Sequence, residues 1–319
     1  MCWYNTMKKN HTQVTEFILL GFSVPPELQI AFFILFLLMY ILTLIGNLLI
    51  MSVVYSDRSL HVPMYIFLFA LSCSETCYSL VIVPKMLVDL LAKVRTISFA
   101  GCAAQMFLFL GLGATNCLIL TCMGYDRYLA ICHPLRYPVL MNMRVIVWLI
   151  AISWIAGFLI SLSEAAQILR LPFCGPNAIR HFFCHMRAVV RLACTADNTT
   201  EVSVSTIGML GLAGSLLFIM LTYILILSTI LRIPSTEGRQ KAFSTCAAHL
   251  IVVSVHYTFA SIIYFKSSTA DTLEDDTLMS IPYTIITPFL SPIIFTLRNK
   301  EIKVAVRKVI TKKVLSQKL

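Results

Sequence analysis

The sequence predicts an all-α membrane protein, a seven-transmembrane helix bundle followed by a short amphipathic helix after the seventh span. Hydrophobic residues make up 58% of the 319 residues and charged residues only 13%, too little polar surface to cover a water-soluble globule. Five stretches carry no Asp, Glu, Lys or Arg: Leu28 to Ser56, Thr96 to Tyr125, Val202 to Leu231, Ala242 to Phe265 and Thr277 to Leu297. Two more, Ser59 to Pro84 and Val145 to Leu169, are interrupted by one acid each, Glu75 and Glu164. Crossing the hydrocarbon core takes roughly 20 apolar residues, so each of the seven is long enough.

The approximate spans are 28–56, 63–91, 99–126, 144–168, 201–231, 240–265 and 274–297, in a bundle running from 28 to 299. Residues 1–27 form the expected extracellular N-terminus, and 300–319 the cytoplasmic amphipathic helix and tail. With the N-terminus outside, fifteen of the 25 lysines and arginines fall on inner segments, eight of them in the tail. Four acids lie inside and nine outside. That asymmetry favours an outer N-terminus and an inner C-terminus. The net charge of +10 is then a basic inner face beside anionic lipid, not a nucleic-acid surface. Met1 to Asn10 lacks a charged start followed by an apolar run, so no cleaved signal peptide is expected and the first span serves as the insertion signal. Asn10-His11-Thr12 is a glycosylation sequon on the outer side; Asn198-Thr199-Thr200 is a weaker one, close to the fifth span.

Taken in order, the first span holds Gly46-Asn47, and an Asn inside an apolar helix faces the bundle to find a partner. Pro63 is placed to open the second helix. Glu75 within that helix belongs to a polar core with Asn47, Asn116 and Ser291 as candidate partners, either as a cation site or as a hydrogen-bonded protonated acid. The third helix starts near Cys102 and ends in Met123-Gly124-Tyr125-Asp126-Arg127-Tyr128-Leu129-Ala130-Ile131-Cys132. An acid and an arginine side by side at the end of an apolar helix are expensive in lipid and point to a task. Cys102, Cys174, Cys184 and Cys194 fall on the oxidising side, enough for two disulfides with three possible connectivities. His181-Phe182-Phe183-Cys184-His185 has metal-ligand content, but an oxidised Cys184 is no thiolate ligand. No metal and no cofactor is expected.

The fifth helix carries Thr222-Tyr223 near its inner end. The sixth opens with Lys241-Ala242-Phe243-Ser244-Thr245-Cys246-Ala247-Ala248-His249-Leu250, with Lys241 at the interface and His249 two turns deeper. Pro288 and Pro292 mark a kinked seventh helix. Beyond it Ile302, Ala305, Val306, Val309 and Ile310 follow helical spacing, with Lys303, Arg307 and Lys308 on other faces, so this helix lies on the inner membrane surface.

These motifs resemble a vertebrate olfactory receptor of the tetrapod-type class, a branch of the rhodopsin-like G-protein-coupled receptors. The resemblance runs through Gly46-Asn47, Leu60 to Tyr65, Pro84-Lys85-Met86-Leu87, the 123–132 stretch, Lys241 to Leu250 and Leu297-Arg298-Asn299. It implies an odorant receptor that binds a small volatile odorant within the bundle and activates a stimulatory heterotrimeric G protein, raising cAMP. The expected location is the plasma membrane, the ciliary membrane of olfactory neurons in particular. By the same resemblance Asp126, Arg127, Tyr128, Tyr223, Lys241 and His249 form the G-protein switch, Cys102 bridges to Cys184, and Cys174 pairs with Cys194. Ser291 and Phe295 replace the family's Asn and Tyr, Asn116 stands where many members carry Glu, and His256-Tyr257-Thr258 replaces Phe-Tyr-Gly.

Counting back from Arg127 by helical turns puts Phe109, Leu110, Gly113 and Ala114 on the interior face of the third helix. Ile207 and Gly208, then Tyr257, Ala260, Ser261 and Tyr264, and finally Thr284 complete the expected ligand site between the helices. Its lining is apolar with a few hydroxyls and has no acid on the third helix, which disfavours an aminergic ligand. The alternatives are an orphan rhodopsin-like receptor with a non-olfactory ligand, or a transporter. Transport calls for charges along a path or inverted repeats, and neither is visible. A retinal protein needs a lysine in the seventh helix, which Thr277 to Leu297 lacks. No nucleophile–base constellation suggests an enzyme.

Overall fold

The computed structural model describes residues 14–22, 25–173, 177–194, 198–265 and 273–316. In chain order its elements are β1 (Glu16–Leu19), α1 (Pro26–Ser56), α2 (Pro63–Leu91), β2 (Thr96–Ser98), α3 (Phe99–Cys132), the short α4 (Tyr137–Leu140) and α5 (Met143–Leu169). There follow β3 (Ala178–Ile179), the short α6 (Met186–Val190), α7 (Asn198–Leu231) and α8 (Thr236–Phe265). The last span is composite: α9 (Leu273–Ile281), a π-helical turn (Pro282–Ile286) and α10 (Thr287–Arg298), with α11 (Lys300–Ser316) behind it. Seven of the described helical segments are long and apolar enough to cross a membrane.

Helix starts follow local chemistry. Pro26 and Pro63 occupy the first turns of α1 and α2, where a missing N–H costs nothing. The Ser98 side chain accepts from the Gly101 N–H at 3.1 Å to cap α3, and Asn142 accepts from the Val145 N–H at 3.1 Å to cap α5. Each such cap contributes about 1 kcal/mol. Polarity is distributed the opposite way from a soluble protein. Leu35 and Leu38 of α1, Ile155 and Leu159 of α5 and Leu217 and Leu221 of α7 are exposed, while Asn47, Ser74, Glu75, Asp126, Glu164 and His249 are buried. Hydrocarbon outside and polar groups inside is the pattern of a chain dissolved in lipid.

The centre of the bundle is α3, which packs against α2, α5, α7 and α8. Against α5 the backbones nearly touch. A Cβ on Gly157 would sit 2.9 Å from both the Gly111 carbonyl oxygen and the Thr115 nitrogen, the close approach that small residues permit between membrane helices. Gly46 does the same for α1 and α10, since a Cβ there would meet the Pro292 ring at 3.0 Å. The α11 helix turns its Ile302 and Ala305 inward, both buried, with Val306 packed against them; the side chains of Val309 and Ile310 lie outside the described residues. Lys308 reaches Asp57 at 3.6 Å.

Several boundaries differ from the sequence expectation. The α3 helix continues past 126 to Cys132, so the whole 123–132 stretch is helical, and α8 begins at Thr236 rather than 240. The π turn precedes the two expected kink prolines. A small three-stranded sheet was not expected at all. In it β1 lies between β2, antiparallel, and β3, parallel. Strands of two to four residues leave no period to read, and only the fold brings these three distant segments together. Phe17 and Leu19 of β1 point into the protein while Glu16 and Ile18 point out.

Because the obstruction at Gly157 is backbone and cannot rotate away, Gly157→Leu is expected to destabilise the bundle by about 1–3 kcal/mol. Thermal unfolding in detergent checks it: a midpoint equal to that of the unmodified protein would show that α3 and α5 have room to part.

Candidate functional site

Two cavities open at opposite ends of α3. The one near the sheet is narrow, with about 60 Å³ of room for the centres of water-sized molecules. Phe109, Leu110, Gly113, Ala114, Gly208 and Ala260, all expected from the sequence, line it. Gly113 matters for shape, since a Cβ there would come 3.0 Å from the Tyr283 hydroxyl. Other expected residues lie elsewhere. Ile207 is 38% exposed on the outer face of α7; its neighbour Gly208, roughly 100° further round the helix, takes the inward position. Tyr257 sits deeper, donating to the Ser215 hydroxyl at 2.9 Å. Ser261 is half-buried outside the lining, and the side chain of Tyr264 lies outside the described residues. Thr284 is buried and bonds back to the Ser280 carbonyl at 2.7 Å. The π turn holds an extra residue per turn, so the cavity wall is Tyr283 in place of Thr284.

Sequence reasoning missed Cys117, Tyr283, Glu164, His185 and Met186 in that lining. For Glu164 the signal was present, an acid alone in an apolar span. Its position about six turns along α5 gave no face until α5 was packed against α3 and α7. Below the cavity the His256 ring edge meets Tyr283, and its Nε2 lies 3.3 Å from the Cys117 sulfur.

The long connection between α5 and α7 covers the cavity. A disulfide joins Cys102 at the start of α3 to Cys184, with Cα atoms 5.4 Å apart. The Cys184 N–H donates to Gln105 Oε1 at 2.9 Å, and the Phe183 ring meets that of Phe109 at 4.8 Å. Cys194 is disulfide-bonded, while Cys174 and the sequon residue Asn10 lie outside the described residues. Asn198 opens α7. His181 and His185 are buried with their rings stacked 5.0 Å apart, and His181 Nε2 lies 3.0 Å from the Ser280 hydroxyl of α9. Burial, then the proximity of His185, holds His181 well below the usual imidazole range; burial, then the charges of Arg187 and Arg191, brings His185 down to about 3.

At the other end a wide mouth of about 780 Å³ is lined by Tyr65, Arg127, Lys241, Ser244, Phe295 and Arg298 among others. Arg127 donates to Asp126 Oδ2 through Nη2 at 2.5 Å and Nε at 3.0 Å. Tyr137 of α4 donates to the other Asp126 oxygen at 2.7 Å. Burial and the Asp126 charge push the Tyr137 phenol up, so it keeps its proton for that bond. Tyr128 turns aside to His133, 3.0 Å from its Nε2. His249 crosslinks three helices: Nε2 lies 3.0 Å from the Leu120 carbonyl of α3 and Nδ1 lies 2.7 Å from the Tyr223 hydroxyl of α7. A carbonyl only accepts, which assigns the proton to Nε2 and makes Nδ1 the acceptor of the tyrosine proton. Tyr65 of α2 donates to Asn299 at 2.9 Å and to Glu301, tying α2 to the start of α11.

Between the two ends lies the polar core. Asn47 and Ser291 are side-chain partners of Glu75, and Asn47 also donates to the Thr43 carbonyl at 3.2 Å. Asn116 is buried on α3 with its side-chain oxygen unmatched, as is one oxygen of Glu75. Three of the four expected members therefore converge on one another.

This arrangement is a rhodopsin-like seven-helix fold. Squid rhodopsin superposes with a TM-score of 0.71 over 91% of this chain and 87% of that one, at 17% identity, a likeness of fold. Residues 36–313 match the family model described as olfactory receptor. Human olfactory receptor 10X1 is 60% identical over 95% of this chain and 92% of its own length, and human olfactory receptor 10H1 is 53% identical over 98% of each. The chain belongs to the olfactory receptor family; it is a multi-pass membrane receptor and not an enzyme.

The buried histidine pair makes the covering loop acid-sensitive. Both imidazoles are neutral when folded and bind a proton once exposed, so the stability they leave intact is complete above their ordinary value of 6.5. It declines as pH falls from there toward the His185 value of about 3. Unfolding temperatures measured from about pH 7.5 to about pH 5 are expected to fall with acid, and less steeply in His185→Gln. A slope identical in the two proteins would remove His185 from the explanation.

Proposed function

We propose that this chain is an odorant receptor that binds a small volatile organic molecule in the covered cavity and activates a stimulatory heterotrimeric G protein, raising cAMP. The observation that carries the proposal is that one helix, α3, bears both Phe109, Leu110, Gly113 and Ala114 on the cavity wall and Arg127 in the wide mouth at the other end. With the N-terminus outside, the covered cavity faces the ligand's side and the mouth faces the cytoplasm, as the distribution of basic residues favours. The proposed ligand contacts are Phe109, Leu110, Gly113, Ala114, Gly208 and Ala260, and the proposed membrane is that of olfactory cilia.

The bonds at the mouth belong to one of two packings. Asp126, which also accepts from Tyr137, holds Arg127, and the Tyr223–His249–Leu120 chain holds α7 and α8 to α3. An odorant that fits better when α8 swings away shifts the balance, by no more than its difference in affinity for the two packings. Arg127 then leaves Asp126 and meets the G protein. Phe295, buried beside the mouth, supplies no hydroxyl to hold that second packing, and Ser291 supplies a shorter polar link than an Asn.

In cells co-expressing the olfactory G protein, a broad volatile panel is expected to yield cAMP responses that vanish in Arg127→Ala while surface expression stays largely intact. A full response from a well-expressed Arg127→Ala would sink the proposed switch.

A further inference from the structure

Resting on the reading that the covered cavity is the odorant site, we propose that Glu164 selects the ligand by accepting a hydrogen bond from a donor group, the hydroxyl of an alcohol or the N–H of an amine. Glu164 projects from α5, is 1% exposed and forms part of the cavity wall. Its carboxyl faces the Gly208 backbone of α7, and its Oε1 is buried with no hydrogen-bond partner. The same wall holds the apolar Ala114, Leu118, Ile160, Gly211 and Leu212 and the donor-bearing Cys117, His185, Arg187 and Tyr283, none of which bonds that oxygen. A buried acceptor left unmatched is costly, and a donor on a ligand in the cavity would match it.

In either protonation state a carboxyl offers an acceptor oxygen, so the preference does not depend on the charge of Glu164. An ether or a hydrocarbon of the same shape cannot satisfy that oxygen. A site built around a hydrogen bond rejects the analogue that lacks the partner far more strongly than an apolar wall rejects an extra methylene. The acid absent from the third helix is thus supplied by the fourth span, and with it a place for a polar odorant head between α3, α5 and α7. Glycines 208 and 211 leave the α7 wall low beside the carboxyl, with space for that head.

The test is a matched series on one carbon skeleton: primary alcohol, primary amine, methyl ether and hydrocarbon. It is read as EC50 for cAMP in the unmodified receptor, Glu164→Gln and Glu164→Leu, each with surface level measured. The unmodified receptor is expected to favour alcohol and amine over ether and hydrocarbon by about tenfold or more, the size of one buried hydrogen bond. Glu164→Leu is expected to erase that gap while still answering the hydrocarbon and ether. Glu164→Gln keeps an acceptor and is expected to retain the alcohol preference with a weaker amine response. Equal potency across the series in the unmodified receptor overturns the inference even if no variant reaches the surface. So does an undiminished alcohol preference in Glu164→Leu. Silence toward the series and toward every other volatile, with receptor on the surface, overturns the odorant reading and this inference together, whereas responses indifferent to the donor overturn this one alone.

Discussion

A polar group left without a partner in hydrocarbon costs several kcal/mol, and the architecture follows from where this chain puts its polar groups. Backbone amides are satisfied within helices. The side chains that cannot be apolar turn inward: Asn47 and Ser291 toward Glu75, Tyr223 toward His249, Tyr137 and Arg127 toward Asp126. Each of these links joins or steadies elements around α3, so the same groups that avoid lipid fix the order of the bundle. Where bulk prevents the helices from meeting, glycine removes it, as Gly157 does against α3 and Gly46 against Pro292.

Polar links of this kind are few, directional and short, which makes them suited to two-state behaviour. His249 illustrates the point. Its two nitrogens are committed to α3 and α7 at once, so α8 cannot rotate without giving up both bonds together. A cavity above and a mouth below, joined by one rigid helix, let a small displacement at Phe109 or Gly113 bear on the same axis that carries Arg127. Packed interfaces prefer one arrangement or another over a continuum of intermediate ones.

The cavity cover rests on different forces from the bundle. A disulfide, a three-stranded sheet and a stack of aromatic rings hold it over the helices. Arg95 donates to the Leu20 carbonyl at 2.9 Å and Asn177 to that of Glu16 at 2.8 Å, so loops from two distant parts of the chain brace the β1 segment. Gly21 follows that strand with φ of 65°, a conformation that side-chain-bearing residues rarely adopt. Burial keeps the imidazoles of His181 and His185 neutral at the centre of the cover. Glu164 stands just beneath, with its Oε1 buried and unmatched.

The sequence by itself determined the number of spans, the amphipathic last helix, the Asp126–Arg127 pair and the interior face of α3, because charge-free length and helical periodicity are local properties. It also named six of the cavity residues, all on faces that a count of helical turns can reach. Tertiary structure decided the rest. The π turn moved the wall from Thr284 to Tyr283, since an added residue per turn rotates everything after it. Packing of α5 against α3 and α7 turned Glu164 into the cavity, and adjacency on α7 gave the inward place to Gly208 and not to Ile207. The sheet needed β1, β2 and β3 to be brought together from far apart in the chain. A residue's face on one helix is written in its neighbours in sequence; which other helix meets that face is settled only when the bundle closes.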